Sequence, residues 1–270
     1  MRNKLAFIGA GNMGCAIANG ILLSDMMEPS QLTLVRRNIE KLAEFKERGC
    51  GVSDDVIGAC RASDAIILGV KPQMFGEIMP LIAPYVEGKL VISIAAGVTV
   101  ETMQNALPGA FIVRVMPNTP LMVGRGVSAI CYGEGVNDED KAFAEKIFSS
   151  AGMCFVIEES LKNAVPAVTS SSIAYFARIM GDMYKWAKEN GFDCLDDKEI
   201  IDMIGLAAIG TAEIISQKNM SPDELVRAVA SPKGTTEAAL KTFDKMGLDE
   251  TISAAMTACT DRADELSGVK

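Results

Sequence analysis

The sequence predicts a two-part chain: an α/β domain over residues 1–158, built on a parallel sheet covered by helices, and an all-α domain over residues 159–270. Three observations carry this. Short apolar runs alternate with helical patterns through the first part, as strand–helix–strand units do. Strand-like runs stop after about residue 158, and long helical segments take over. The first strand and the first helix are joined by closely spaced glycines, which fit a tight turn between them.

In order along the first part, strands are expected at 4–10, 32–36, 65–70, 90–96, 111–116, 127–132 and 153–157. Helices are expected between most of them, for example at 12–23, 40–48 and 138–151. In the second part, helices are expected at 167–190, 197–218, 222–230, 236–246 and 250–266. Ser221, Pro222 and Glu224 make a good helix start, with a hydroxyl cap, a proline at the first position and a carboxylate at the third. Gly191 stands where the preceding helix should stop.

Composition narrows the function. At 270 residues and 49 % hydrophobic the chain can bury real cores. No apolar run reaches about 18 residues, so no membrane span is expected. A strand-like segment begins within the first residues and leaves no room for a signal peptide, which gives the expectation of a cytoplasmic protein. The net charge of -9 argues against a nucleic-acid partner. The seven cysteines, Cys15, Cys50, Cys60, Cys131, Cys154, Cys194 and Cys259, are scattered and form no C-x-x-C, which fits reduced thiols and no metal. There is no histidine, so Ser-His triads and His-ligated metals are excluded, and the chemistry must need little help from a protein acid or base.

The glycine turn, "LAFIGAGNMGCAIANGIL", holds Gly9, Gly11 and Gly14 in G-x-G-x-x-G spacing between a strand and a helix. In that setting the pattern reads as a Rossmann-like dinucleotide site. The first glycine permits the turn, the second lets the backbone approach a pyrophosphate, and the third lets helix pack on strand. The helix N-terminus, with Asn12 and Met13, then faces the phosphates. An NAD site ends the second strand on Asp or Glu. Here "TLVRRNIEKL" offers Arg36 and Arg37 and no acid, so the expected cofactor is NADPH, with Arg36 favoured on the 2′-phosphate and NADH a possible second. Two further loops follow strands. Val70 leads into Lys71, Pro72 and Gln73, and Met116, Pro117 and Asn118 lead into Thr119 and Pro120. In doubly wound sheets, ligands lie outside the carboxyl ends of strands, so both loops are expected at the nicotinamide and substrate.

With "FIGAGNMG", "GVKPQ", "ISIAAGV", "VRVMPNTP", "SPKGTT" and "ACTDRADEL" in this order over its full length, the chain resembles the pyrroline-5-carboxylate reductases. The resemblance implies NAD(P)H-dependent reduction of a cyclic imine to L-proline, the last step of proline biosynthesis. It also implies a helical domain that dimerises by interlocking helices, with rings of dimers in some members and active sites drawing on both subunits. It adds Ala95 to the cofactor set. It implies a substrate loop in which Gly234, Thr235 and Thr236 bind the carboxylate through backbone, Ser231 shapes the turn, and the Thr236 hydroxyl reaches the ring nitrogen as the catalytic group. Ser171 matches a family serine at the pocket wall. The 3-hydroxy-acid dehydrogenases share the N-terminal plan but use a Lys with an Asn one helical turn later. Here Asn163 follows Lys162 directly, and Pro166 stands a turn on.

The chain departs from the family in two places. Lys233 replaces a glycine, which turns its side chain to solvent or adds charge for an anionic substrate. If the backbone there has positive φ, lysine costs about 1 kcal/mol or more. "TSSSIAY", Thr169–Tyr175, replaces Ser-Gly-Ser-Gly-Pro-Ala-Tyr and loses both permissive glycines. A reductase of another cyclic imino acid, such as a six-membered ring, and a non-catalytic NADP-binding protein therefore stand as alternatives.

Overall fold

The structure is a computed structural model that describes residues 2–161 and 163–266. Strand β1 (Leu5–Ile8) leads into helix α1 (Asn12–Leu23), followed by β2 (Leu32–Val35), α2 (Ala43–Glu47), β3 (Gly51–Ser53), α3 (Val56–Ala62), β4 (Ala65–Leu68), α4 (Phe75–Ile82), β5 (Leu90–Ser93), α5 (Val100–Ala106), β6 (Phe111–Pro117), β7 (Gly126–Tyr132), α6 (Asp138–Ser149) and β8 (Gly152–Val156). The eight strands form one sheet in the order β3-β2-β1-β4-β5-β6-β7-β8. The order reverses between β1 and β4, which opens a crevice beyond their carboxyl ends.

Alternating strand residues feed two cores. Leu5 and Phe7 pack with Ile17 and Ile21 of α1 and with Ile147 and Phe148 of α6. Ala6 and Ile8 pack with Cys60 of α3, Ile78 of α4 and Met103 of α5. This is the two-sided burial a doubly wound sheet needs, and it explains why the inner strands read as unbroken apolar runs.

Two expectations are corrected. The sheet is not wholly parallel: β6 and β7 pair antiparallel, so β7 and its parallel neighbour β8 run against the rest. Only a short stretch with a 3-10 turn, Thr119–Val123, separates Pro117 from Gly126. A parallel return would need a crossover of a dozen residues or more. The edge strand β3 has three residues and none is buried, so no apolar run announces it.

Beyond β8 come α7 (Val165–Thr169), α8 (Ser172–Glu189), α9 (Asp197–Lys218), α10 (Pro222–Val229), α11 (Thr235–Lys245) and α12 (Leu248–Leu266). The single helix expected at 167–190 is two. The Thr169 hydroxyl donates back to the Val165 carbonyl at 3.0 Å, one of the side-chain bonds with which a hydroxyl-rich run competes with the helix ladder. α9 and α10 start on capping boxes, Asp196 with Glu199 and Ser221 with Glu224. Packing divides the described residues into one compact unit that ends at Ser170 and takes in residues 264–266, and a second unit, Ser171–Ala263.

The second unit has almost no interior of its own. Only Ala187 and Ile200 are buried in it, while Phe176, Ile179, Met183, Trp186, Leu206 and Ile209 stand half or more exposed. So much contiguous apolar helix surface needs a covering partner. No helix among the described residues is long and apolar enough to cross a membrane.

Candidate active site

The turn after β1 is strapped to its neighbours by backbone. Gly9 and Ala10 both donate to the Val35 carbonyl at 2.9 Å, and Gly11 donates to Gly9 at 2.7 Å. Gly9 has φ +85°, and a Cβ there would lie 2.6 Å from Val70 Cγ1 and 2.8 Å from Val70 N. Gly9 is therefore glycine for steric reasons, and Val70 is the residue that fixes it. At Gly11 the nearest atom to an added Cβ is the Gly9 carbonyl oxygen at 3.9 Å, so a methyl would stand in the open space above the turn. Gly14 is less crowded than its textual role suggests. A Cβ would meet Phe7 Cδ1 at 3.7 Å, an ordinary contact. The glycine that lets α1 pack closely is Gly20, where a Cβ would come within 2.7 Å of the Ala151 Cβ.

Helix α1 begins without a side-chain cap and without an acid in its first turn. The N–H groups of Asn12, Met13 and Gly14 at the helix start therefore have no side-chain cap, an arrangement that suits an anion. Arg36 extends from the end of β2, half-buried, and Arg37 beside it is exposed. Neither side chain makes an ion pair or hydrogen bond with the described residues. Arg36 reaches the first turn of α1 electrostatically: burial pushes the Cys15 thiol up, and the nearby Arg36 charge pulls it partly back. Open backbone above Gly11, uncapped N–H groups and an unspent guanidinium together fit a dinucleotide carrying an extra phosphate.

The other expected cofactor residues lie at successive strand ends. Lys71 and Pro72 are exposed at the turn after β4. Ala95 is buried after β5, with its N–H on the Ser93 hydroxyl at 3.2 Å. Met116 and Pro117 close β6, half-buried. Asn118 differs from its neighbours. It is 5 % exposed, its amide donates to the Thr169 carbonyl at 2.7 Å, and its Oδ1 accepts from Val127 N at 2.8 Å. Its side chain is a clamp that holds the loop to β7 and to the end of α7.

The residues expected on the substrate side, Ser171, Ser231, Lys233, Gly234, Thr235 and Thr236, belong to the helical unit. Lys233 has φ +61°, one of three non-glycine residues with positive φ among the described residues. Its N–H donates to Glu237 Oε2 at 2.8 Å, and that bond, with Lys241, holds the Glu237 carboxyl below the usual range. Gly234 is tightly placed, because a Cβ would lie 2.5 Å from the Ser231 hydroxyl and 2.9 Å from the Ser231 carbonyl oxygen, which cannot swing aside. Its N–H turns inward to the Ser231 carbonyl at 3.0 Å. This corrects the expectation that Gly234 offers a backbone donor: the donors presented here are those of Thr235 and Thr236, at the uncapped start of α11. Ser171 sits at the entry to α8, and its hydroxyl accepts from the Cys259 thiol at 3.2 Å. Lys162 lies outside the described residues.

The buried charge Arg114 was not singled out in the sequence. Arg114 on β6 is 4 % exposed, and its Nη1 donates to Glu159 Oε1 at 2.9 Å. The same oxygen accepts from Val100 N, the first residue of α5, at 3.1 Å. Glu159 thus joins β6, the start of α5 and the chain leaving β8. The signal was available: Arg114 is the lone charge in an otherwise apolar strand.

Known proteins match this arrangement along the whole chain. A pyrroline-5-carboxylate reductase from Haemophilus influenzae is 35 % identical, with 98 % of each chain covered. The chain belongs to the pyrroline-5-carboxylate reductase family. The family model "Pyrroline-5-carboxylate reductase dimerisation" matches residues 159–266, so the helical part is the dimerisation domain. The model "NADP oxidoreductase coenzyme F420-dependent" matches residues 4–97, the β1–β5 half of the sheet. Among solved structures, a pyrroline-5-carboxylate reductase from Coxiella burnetii superposes with a TM-score of 0.91 at 30 % identity, covering 98 % of both chains. The Plasmodium falciparum pyrroline carboxylate reductase, solved with NADP bound, gives 0.84 at 26 % identity, again over 98 % of both.

Proposed function

We propose that the protein reduces L-1-pyrroline-5-carboxylate to L-proline with NADPH, the last step of proline biosynthesis, as a cytoplasmic homodimer. The observation that carries this is the cradle after β1, open above Gly11 and flanked by Arg36, in a chain of this family. Residues 1–158 hold the cofactor and residues 159–270 form the dimerisation and substrate domain. Assembly of dimers into a ring is part of the reading.

Gly9 shapes the turn, while Gly11, Asn12, Met13 and Gly14 give backbone to the pyrophosphate. Arg36, aided by Arg37, takes the 2′-phosphate. Val70, Lys71, Pro72, Ala95, Met116 and Pro117 wall the nicotinamide end, and Asn118 keeps that wall in register. When bound, NADPH supplies the hydride to the imine carbon.

The chain's own task is to hold the ring face to face with the nicotinamide, which is catalysis by proximity. The Thr235 and Thr236 N–H groups at the start of α11, and the Ser171 hydroxyl, hold the substrate carboxylate. Ser231 and Gly234 set the turn that aims them. The Thr236 hydroxyl hydrogen-bonds the ring nitrogen, which enters as the iminium protonated in solution and leaves as the amine. No histidine is needed.

Lys233 supports a second reading, a cyclic imino acid of another ring size. Its left-handed backbone retains a cost that glycine would remove, as residues at functional sites do. NADPH oxidation by the purified protein with the five- and six-membered imino acids tests both. Turnover of the five-membered ring with NADPH preferred over NADH is expected. Preference for the six-membered ring would give the second reading, and NADPH binding without turnover of either would refute both.

A further inference from the structure

We propose that Cys259 is a positioning residue for substrate binding: its thiol fixes the Ser171 hydroxyl so that the Ser171 proton is given to the carboxylate of the imino acid. This rests on the reading of Ser171 as a substrate-binding residue.

The two residues lie 88 positions apart, on α12 and at the entry to α8, yet the thiol donates to Ser171 Oγ at 3.2 Å. Tyr175 is one helical turn beyond Ser171, and both partners act on its hydroxyl electrostatically. Its pKa is raised, chiefly by the bond to Cys259. Three single-proton donors therefore meet at one place, two of them hydroxyls and one a thiol.

Donor accounting sets the direction. Tyr175 gives its proton to the Cys259 sulfur, and Cys259 gives its own to Ser171 Oγ. Ser171 is left with the one proton not committed to the other two. In the free enzyme that proton closes the ring on the Tyr175 oxygen. A carboxylate is a stronger acceptor than a phenol and takes the proton on arrival. A lone serine hydroxyl would rotate among its staggered positions. With one lone pair taken by Cys259, its rotation is already restricted before the ligand arrives, and less freedom is lost on binding. The replacement of the family's flexible glycines by Ser170 and Ser172 leaves this orientation to side chains instead of backbone.

The test is steady-state kinetics of the full-length dimer with L-1-pyrroline-5-carboxylate. Cys259→Ala is expected to raise the KM for the imino acid about 3- to 10-fold, the range of one neutral hydrogen bond, with the KM for NADPH unchanged. Cys259→Ser, which restores a donor, is expected to recover most of it. Ser171→Ala should raise the same KM at least as much. The double variant Ser171→Ala/Cys259→Ala should be no worse than Ser171→Ala alone, because Cys259 acts only through Ser171. If Cys259→Ala fails to assemble, Tyr175→Phe keeps the test open, with an expected rise of about 2-fold, at the weak end of one hydrogen bond. Wild-type KM in Cys259→Ala beside a raised KM in Ser171→Ala, or effects that multiply in the double variant, would overturn the proposal. Wild-type KM in Ser171→Ala would overturn the placement of Ser171 and the inference with it. Absence of turnover by the wild-type protein would overturn the activity on which both depend.

Discussion

Gly9 and Gly11 lie two residues apart in the same turn, yet the structure assigns them different work, and a pair of alanine variants separates it. At Gly9, φ is +85°, a conformation that costs an L-residue roughly 1–2 kcal/mol. The added methyl would also lie 2.6 Å from Val70 Cγ1, 2.8 Å from Val70 N and 3.0 Å from the Gly69 carbonyl carbon. Two of those three atoms are backbone and cannot swing aside, so overpacking adds roughly 1–3 kcal/mol. Gly9→Ala should thus destabilise the α/β domain by about 2–5 kcal/mol without any cofactor present. Gly11 has φ -83° and an open space above it. Its substitution loses a permissive helix cap and should cost less than about 1 kcal/mol. The Gly11→Ala methyl nevertheless occupies the approach of the pyrophosphate, so NADPH affinity should fall at least about 10-fold, or 1.4 kcal/mol. Urea unfolding of the apo-proteins reads the first quantity, and fluorescence titration with NADPH reads the second. Equal destabilisation by the two variants, or wild-type affinity in Gly11→Ala, would refute this division of labour.

Four further outcomes are expected. Glu159→Ala leaves the Arg114 guanidinium buried without its carboxylate, and Arg114 Nε already has no partner among the described residues, so a loss of about 3 kcal/mol, the low end for a pair with one partner partly exposed, is expected in chemical unfolding. Arg114→Met should cost less, because it removes the charge itself and leaves only the partly solvated Glu159. The reverse order would sink this account of the pair. Arg36→Gln should raise the KM for NADPH about 10-fold or more and leave the KM for NADH within 2-fold, since a charged hydrogen bond to the 2′-phosphate is lost. Equal effects on both cofactors would remove Arg36 from that role. Glu237 has a folded pKa below its unfolded value of about 4.3, so its bond to Lys233 N stabilises the loop above that pH and is lost as pH falls through the folded value. Carboxyl titration by NMR should show the lowered midpoint, and Glu237→Gln should flatten that part of the acid unfolding curve. Trp186, the one tryptophan, is 62 % exposed on a single chain and should be covered in the dimer. Blue-shifted emission that moves red on dilution is expected, and emission typical of free indole at every concentration would contradict coverage of that face.

The α/β half followed by a helical half was legible because strand and helix impose different periods, and each period survives in the sequence wherever a face is buried. The glycine motif, the helix start at Ser221, and the cost attached to Lys233 were legible for a similar reason: each is a demand of local backbone geometry. The conditional reading of Lys233, strained if φ is positive, met a φ of +61°. The strand β3 left no trace, because three residues without burial carry no pattern. The reversal at β7 was encoded only in the shortness of the connection before it.

What the tertiary structure alone decided is which side chains meet. It moved the close helix contact from Gly14 to Gly20, where α1 meets the residues that follow α6. It gave Asn118 a clamp between β7 and the end of α7, and it withdrew the Gly234 N–H into its own turn. It joined Arg114 to Glu159 across 45 residues and Cys259 to Ser171 across 88. Local conformation follows from neighbouring residues, which the sequence lists in order. A hydrogen bond between distant residues exists only after the fold has brought their elements together, and the sequence alone holds no distance between them.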